Sequence, residues 1–189
     1  MAAAEPIRDK KQLRRMAEYW LGRGSARNYA MIVLGACTAL RIADLLGLRW
    51  GDVYDIGQGR FRPHIYLLEK KTGKQKTVAL SLRAIEALRM CLPGRKGEFL
   101  FPNNRKGHNP LSRVQAWRIL RAAAEAVKAV GQISCHSLRK TFGYFAWKAG
   151  ALPVVLMDIY NHSSFEVTRR YLGITQDDRD RVYLDLAIW

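Results

Sequence analysis

The spacing of apolar residues divides the chain into helical stretches interrupted once by strand-like alternation. Residues 9–21 place Leu13, Met16, Tyr19 and Trp20 three to four positions apart, which predicts a short amphipathic helix with a basic outer face. Gly22 to Ser25 punctuates it, with Ser25 as candidate N-cap for the next helix. That helix runs to Leu40, is apolar nearly all round, and is expected to be buried. A shorter helix is predicted from Ile42 to Leu46, stopping at Gly47; Trp50 and Val53 continue the pattern and Asp52 is placed to cap a turn. The period then drops to two. Ile65, Leu67, Val78 and Leu80 mark two strands around a turn at Thr72–Gly73.

Helical spacing returns at Ser81, expected to cap a helix that Pro93–Gly94 ends. In the following loop Phe99, Leu100 and Phe101 are expected as anchors, with Arg105, Lys106 and His108 exposed. Ser112 is expected to cap a long helix stopped by Gly131, with Val114, Trp117, Leu120, Ala124 and Val127 filling its inner face. Three further segments complete the chain: a helix from His136 stopped by Gly150, a short helix ending at His162, and an amphipathic helix from Gln176. The expected class is mainly α with one small antiparallel β-sheet. There are no internal repeats or low-complexity tracts.

Charge changes this picture more than composition does. In 189 residues, 32 Lys and Arg face 16 Asp and Glu, a net charge of +16. Such an excess concentrates polyanions at the surface, and nucleic acid is the leading partner because phosphate neutralisation releases counterions. An anionic membrane is the rival, but the cations are spread along the chain, which suits a folded binding face better than a tether. The longest apolar run, Ala30 to Leu40, falls far short of the ~20 residues needed to span a bilayer. The charged start has no signal core. Cys37, Cys91 and Cys135 are odd in number and lack metal-ligand spacing, so they read as reduced thiols in a cytoplasmic protein. No metal or cofactor is expected.

Candidate chemistry is scattered. Arg41 opens the short helix, and Asp44 at i+3 can accept a hydrogen bond from it; the pair is either a local surface ion pair or a guanidinium held beside the core for a purpose. Lys70, Lys71, Lys74 and Lys76 crowd the hairpin, as a solvated tip or as a probe into a groove. Arg113, Gln115 and Arg118 line the start of the long helix, as a solvated face or as readers of phosphates and base edges. His136 and Arg139 share a helix face. His162 follows, then Tyr171. Each is weak alone; their order is the informative feature.

That order resembles the catalytic domain of the tyrosine recombinases, the phage-integrase family. The matching text is TALRIADLLGLRWGDV, KKTGKQKTVAL, HSLRKTF and NHSSFEVTRRYLGIT. The resemblance covers residues 25–175, leaving 1–24 as a short N-terminal helical arm and 176–189 as a C-terminal helix. It implies a DNA breaking-rejoining fold, and site-specific recombination or integration through a 3′-phosphotyrosine at Tyr171. Arg41 and Arg139 would clamp the phosphate, with Asp44 in support and His162 donating a further hydrogen bond. Lys71 would protonate the leaving 5′ oxygen, with Lys70 and Lys74 as competitors for that role. His136 would assist proton transfer or hold the phosphate. A tyrosine ordinarily titrates near ~10 and needs such a cationic pocket to become a nucleophile.

Two departures stand out. Tyr160–Asn161 replaces the usual Leu-Gly before the second histidine, and Asn tolerates the left-handed turn there. The 24 residues at the front are too few for the family's usual DNA clamp: the chain is either a fragment, or a short protein that grips DNA from one side and calls for an accessory protein supplying the clamp function. The other implied partners are double-stranded DNA and a homo-oligomer. The apolar residues of the last helix (Val182, Tyr183, Leu184, Leu186, Ile188, Trp189) dock on a neighbouring protomer or pack on their own domain. The alternatives in function are a non-cleaving DNA-binding accessory protein and a type IB topoisomerase-like activity.

Overall fold

Helix α2 (Ala26–Thr38) is the post around which the other elements pack, because Asn28 to Gly35 are buried without a break. Its end is abrupt: Thr38 turns its hydroxyl back onto the carbonyl of Leu34 (2.7 Å), and Ala39 adopts left-handed backbone at φ 53°. Helix α1 (Lys10–Leu21), capped by Asp9, lies against α2, as does α5 (Leu82–Cys91), capped by Ser81 accepting from Ala84 N–H at 3.3 Å. Helix α7 (Cys135–Lys148) also packs on α2. The approach is close because Gly35 has no side chain: a Cβ there would stand 2.6 Å from Leu138 Cδ1. The computed structural model describes residues 4–103, 109–174 and 176–186.

Between α2 and α5 the chain makes α3 (Ile42–Leu46), α4 (Trp50–Val53) and two antiparallel ribbons. The first, β1 (Tyr54–Asp55) with β2 (Arg60–Phe61), was not foreseen in the sequence. The second, β3 (His64–Leu68) with β4 (Gln75–Ala79), has Ile65 opposite Val78 and Leu67 opposite Lys76. The rest is helical: α6 (Arg113–Ala126), α8 (Pro153–Tyr160), α9 (Phe165–Leu172) and α10 (Gln176–Asp185). Among the described residues no helix is long and apolar enough to cross a membrane.

Three expectations change. Residues 4–21 are not a loose arm: Ile7, Met16 and Ala17 are buried in the common core, and Trp20 Nε1 donates to the Ile119 carbonyl at 3.2 Å. Helix α6 is rotated relative to the expected inner face and ends at Ala126, before the Gly131 stop. It buries Ala116, Ile119, Leu120 and Ala123, whereas Val114 and Trp117 are exposed. The small alanines let α1 and α7 approach, and Trp117 instead lies beside the Arg121 guanidinium (5.9 Å). Finally, Val182, Tyr183, Leu184 and Leu186 of the C-terminal segment are all more than half exposed, so they do not pack on their own domain. Ile188, Trp189, Arg105, Lys106 and His108 lie outside the described residues.

All three cysteines are free thiols, one each on α2, α5 and α7. Burial raises the Cys37 thiol, pushes Cys91 up to about 12 and Cys135 up to about 11.

Candidate active site

Helix α7 begins with a reciprocal cap: Ser134 Oγ accepts from His136 N–H (3.2 Å) and Ser137 Oγ accepts from Ser134 N–H (3.0 Å). This fixes the first turn, which carries His136, with Arg139 one turn on and pointing inward. Arg139 is 1% exposed. Its Nη1 donates to the carbonyl of Ala39, freed by the left-handed end of α2, and its Nη2 donates to the Tyr160 carbonyl at 2.9 Å. The guanidinium lies 4.6 Å from the Tyr160 ring centre, a cation–π contact.

Tyr160, noted in the sequence only as a departure from the usual Leu-Gly, organises this half of the site. Its hydroxyl donates to the Arg139 carbonyl (2.8 Å) and its ring stacks on His162 (5.2 Å, 15° between planes). It fits because Gly143 of α7 faces it: a Cβ there would meet the Tyr160 hydroxyl at 2.3 Å. Asn161 then ends α8 in left-handed backbone (φ 54°, ψ 43°), as its residue type allows. The chain turns sharply and presents His162, whose Nδ1 is 3.0 Å from Thr168 Oγ1 on α9.

Tyr171 occupies the last turn of α9, which Gly173 closes at φ 63°. Its half-buried ring lies 5.0 Å from His136, 4.8 Å from His162 and 5.0 Å from Tyr160. Arg139 and Lys140 stand 5.9 Å and 5.7 Å from the same ring. The two histidines are therefore surrounded by cations. Loss of water, then Lys140, Arg139, Arg41 and Lys71, hold His136 down to about 4, although the residue is exposed. Loss of water and then Arg139 and Arg41 hold His162 down to about 4. Both imidazoles are neutral at pH 7.

Arg41 reaches the site from the start of α3, but its partner is not the expected one. Its Nη1 is 2.5 Å from Oε2 of Glu69, at the end of β3. Asp44 serves the hairpin instead: its Oδ1 accepts from Lys70 N–H at 2.9 Å. Thr72 donates to Glu69 Oε2 (2.8 Å) and Lys76 Nζ is 3.7 Å from Oε1. Burial alone would raise the Glu69 carboxyl, but hydrogen bonds from Thr72, Asn161 and Arg41 outweigh it and hold the group down to about 2. The opposite happens to Lys76, which burial and Arg139 lower to about 8; its ammonium donates to the Ile159 carbonyl.

Of the hairpin lysines, Lys71 is exposed at the tip and its charge is felt by His136. Lys70 folds back over α3, its Nζ lying 2.7 Å from where a Cβ on Gly47 would be. Lys74 is exposed beyond the turn. On α6, Arg113 and Arg118 are exposed. Gln115 is half-buried, and its Oε1 accepts from Ser112 N–H (2.9 Å) in the helix cap. Glu69 carries no role in the sequence analysis, and Lys76, expected at the hairpin's solvated tip or in a groove, is buried against it instead. Strand alternation was the available signal for both, since Glu69 continues the inward set of Ile65 and Leu67, and Lys76 shares the face of Val78 and Leu80.

Two arginines, two neutral histidines and a tyrosine thus converge, with a lysine hairpin beside them. The phage integrase family matches residues 8–177. The chain is 35% identical over 185 residues to the probable integrase/recombinase YoeC of Bacillus subtilis, covering 97% of both proteins. It is 31% identical over 164 residues to the tyrosine recombinase XerD of Corynebacterium glutamicum, spanning 83% of this chain and 51% of that relative. Among solved structures, the XerA recombinase superposes with a TM-score of 0.76 at 20% identity, over 97% of this chain and 66% of that one. XerH in a post-cleavage complex with its difH substrate gives 0.77 at 19%, over 100% and 54%. The chain belongs to the phage integrase family and is a tyrosine-type site-specific recombinase.

Proposed function

We propose that the protein cleaves and rejoins double-stranded DNA through a 3′-phosphotyrosyl intermediate at Tyr171. The observation that carries this reading is the placement of the Tyr171 ring within 5.0 Å of both His136 and His162 and within 5.9 Å of the Arg139 guanidinium. A scissile phosphate entering here meets Arg41 and Arg139 as planar donors. Nδ1 of His162 is held 3.0 Å from Thr168 Oγ1, and in the tautomer that carries its proton on Nε2 the Nε2–H binds a non-bridging oxygen. Neutral His136 accepts the phenol proton as the tyrosine oxygen bonds to phosphorus. The bond from phosphorus to the 5′ oxygen breaks, and Lys71 gives that oxygen its proton. Religation runs the same steps backwards.

Arg113 and Arg118 at the exposed start of α6 are proposed as phosphate or base contacts, with Lys70 and Lys74 as further phosphate contacts. The exposed apolar residues of α10 support docking onto a second copy, hence a homo-oligomer on DNA.

The test is covalent trapping. Wild-type protein is incubated with a randomised library of nicked duplexes, in which a cleaved end diffuses away and leaves the adduct stranded. Recovered adducts that disappear in Tyr171→Phe support the reading; adducts that persist in that variant place the nucleophile elsewhere. Binding without any adduct favours the non-cleaving alternative.

A further inference from the structure

We propose that Glu69 is a positioning residue that couples the phosphate clamp to the proton donor, an inference that rests on the phosphotyrosyl reading above. A carboxylate is an unexpected group here. The site must attract phosphate in a chain of net charge +16, yet this anion is placed at its heart with a side chain that is 0% exposed. Burying it costs several kcal/mol unless neighbours satisfy it. They do so on one oxygen: Oε2 lies 2.5 Å from Arg41 of the clamp and accepts from Thr72 of the hairpin turn at 2.8 Å, while Oε1 faces Lys76 at 3.7 Å without a hydrogen-bond partner.

The main chain of Glu69 adds a second constraint. Its carbonyl accepts from Gly73 N–H (2.8 Å) and Thr72 N–H (3.3 Å), and its own N–H donates to the Lys74 carbonyl (2.9 Å). One residue therefore closes the turn that carries Lys71 while its side chain holds Arg41. Asp44 ties the same two elements a second time, from α3 to Lys70 N–H. Lys76 seats the carboxylate from behind, anchored on Ile159 near the end of α8. When Arg41 engages a phosphate, the carboxylate transmits its position to the hairpin tip, so Lys71 is brought to the leaving oxygen only after the clamp is filled.

This arrangement makes opposite predictions for binding and for chemistry, which a purely structural carboxylate does not. Replacing the anion by its neutral isostere, Glu69→Gln, removes a repulsion toward phosphate, so DNA binding is equal or tighter. Cleavage falls, because the amide no longer fixes Arg41 and the turn together. The expected loss is about a hundredfold, the low end of what a positioned general acid contributes. The loss should reside in leaving-group protonation. A 5′-bridging phosphorothiolate, whose thiolate departs without a proton, is expected to shrink it to below about tenfold.

The experiment uses the nicked duplex recovered by wild-type trapping, in its oxygen and sulfur forms, with single-turnover adduct formation and equilibrium binding measured in parallel. Thr72→Val, at the exposed turn, is run beside Glu69→Gln and is expected to show a smaller loss with the same sulfur rescue. Equal loss on both substrates overturns the coupling to Lys71, as does wild-type cleavage in Glu69→Gln. If Glu69→Gln fails to fold, Thr72→Val carries the decision on the same criteria. Absence of any adduct with wild-type protein instead overturns the phosphotyrosyl reading itself.

Discussion

The two arginines of the site are held in opposite ways. Arg139 is fully buried and its guanidinium is bonded to two backbone carbonyls, of Ala39 and Tyr160. Carbonyls orient it without cancelling its charge. Arg41 is 21% exposed in its side chain and is ion-paired to a buried carboxylate. Its orientation comes at the cost of part of its charge, and its position is tied to the β3–β4 hairpin rather than to a helix end. Arg139 is thus the fixed source of positive potential in the site, and Arg41 is the arm whose position can be communicated.

The sharpest way to break this contrast is to remove each fork in turn. Arg139→Ala is expected to lower single-turnover cleavage by about 10²–10³-fold, as for loss of an oxyanion donor. It is also expected to destabilise the fold, since Ala39 and Tyr160 carbonyls lose their donor. Arg41→Ala leaves Glu69 buried without its main partner, at about 3–5 kcal/mol. Adding Glu69→Gln to that variant should restore most of the stability but none of the cleavage. Urea unfolding read alongside adduct formation separates the two; a double variant no more stable than Arg41→Ala would show that the ion pair does not matter to the fold.

A smaller effect sharpens the Arg139 side. Gly143→Ala places a methyl where the Tyr160 hydroxyl stands, an overpacking expected to cost about 1–3 kcal/mol. Because Tyr160 also stacks on His162, cleavage should fall more than stability alone explains. A folded Gly143→Ala protein with full activity would remove Tyr160 from the positioning set.

Stability should also follow pH in a direction set by the same cations. His136 and His162 titrate near about 4 in the folded protein, below the ~6.5 of an unfolded histidine. Between those values the unfolded chain binds more protons, so stability is complete above about 6.5 and declines as pH falls toward about 4. The Glu69 carboxyl, held down to about 2, adds a loss that begins below its unfolded value near 4.5 and finishes at still lower pH. Thermal melts from pH 7 to 4 should show the decline, and His162→Gln should flatten it. The smallest effect is expected at α10, where Leu184→Ser should leave monomer stability within ±0.5 kcal/mol while weakening assembly on DNA; an unchanged assembly would argue against docking in trans.

How much of this the sequence disclosed depends on which force fixed each residue. Local signals were legible: the α3 limits at Ile42 and Leu46, the turn at Thr72–Gly73, the caps at Ser81 and Ser112, and the left-handed Asn161 all follow from backbone preferences of a few residues. The grouping of Tyr171 with His136 and His162 was legible from their order. The rotation of α6 was not, because Val114 and Trp117 look like core residues and only the alanines' contacts with other helices decide the face. The Arg41 partner was misassigned because Asp44 is close in sequence, whereas Glu69 is close in space through a ribbon that brings it back across the start of α3.

The distribution of thiols gives the molecule a built-in clock. Only the thiolate reacts with alkylating reagents, and burial keeps all three cysteines protonated at neutral pH. Cys37 lies on the central helix, Cys91 on the neighbouring α5, and Cys135 at the first position of α7, beside His136. Cys91 is buried and labels only when α5 opens, whereas Cys37 and Cys135 are partly exposed. Mass-resolved alkylation of the unaltered protein therefore reads the surroundings of the catalytic helix separately from the opening of the core, and a DNA duplex seated on the site should slow Cys135 while leaving Cys91 unchanged.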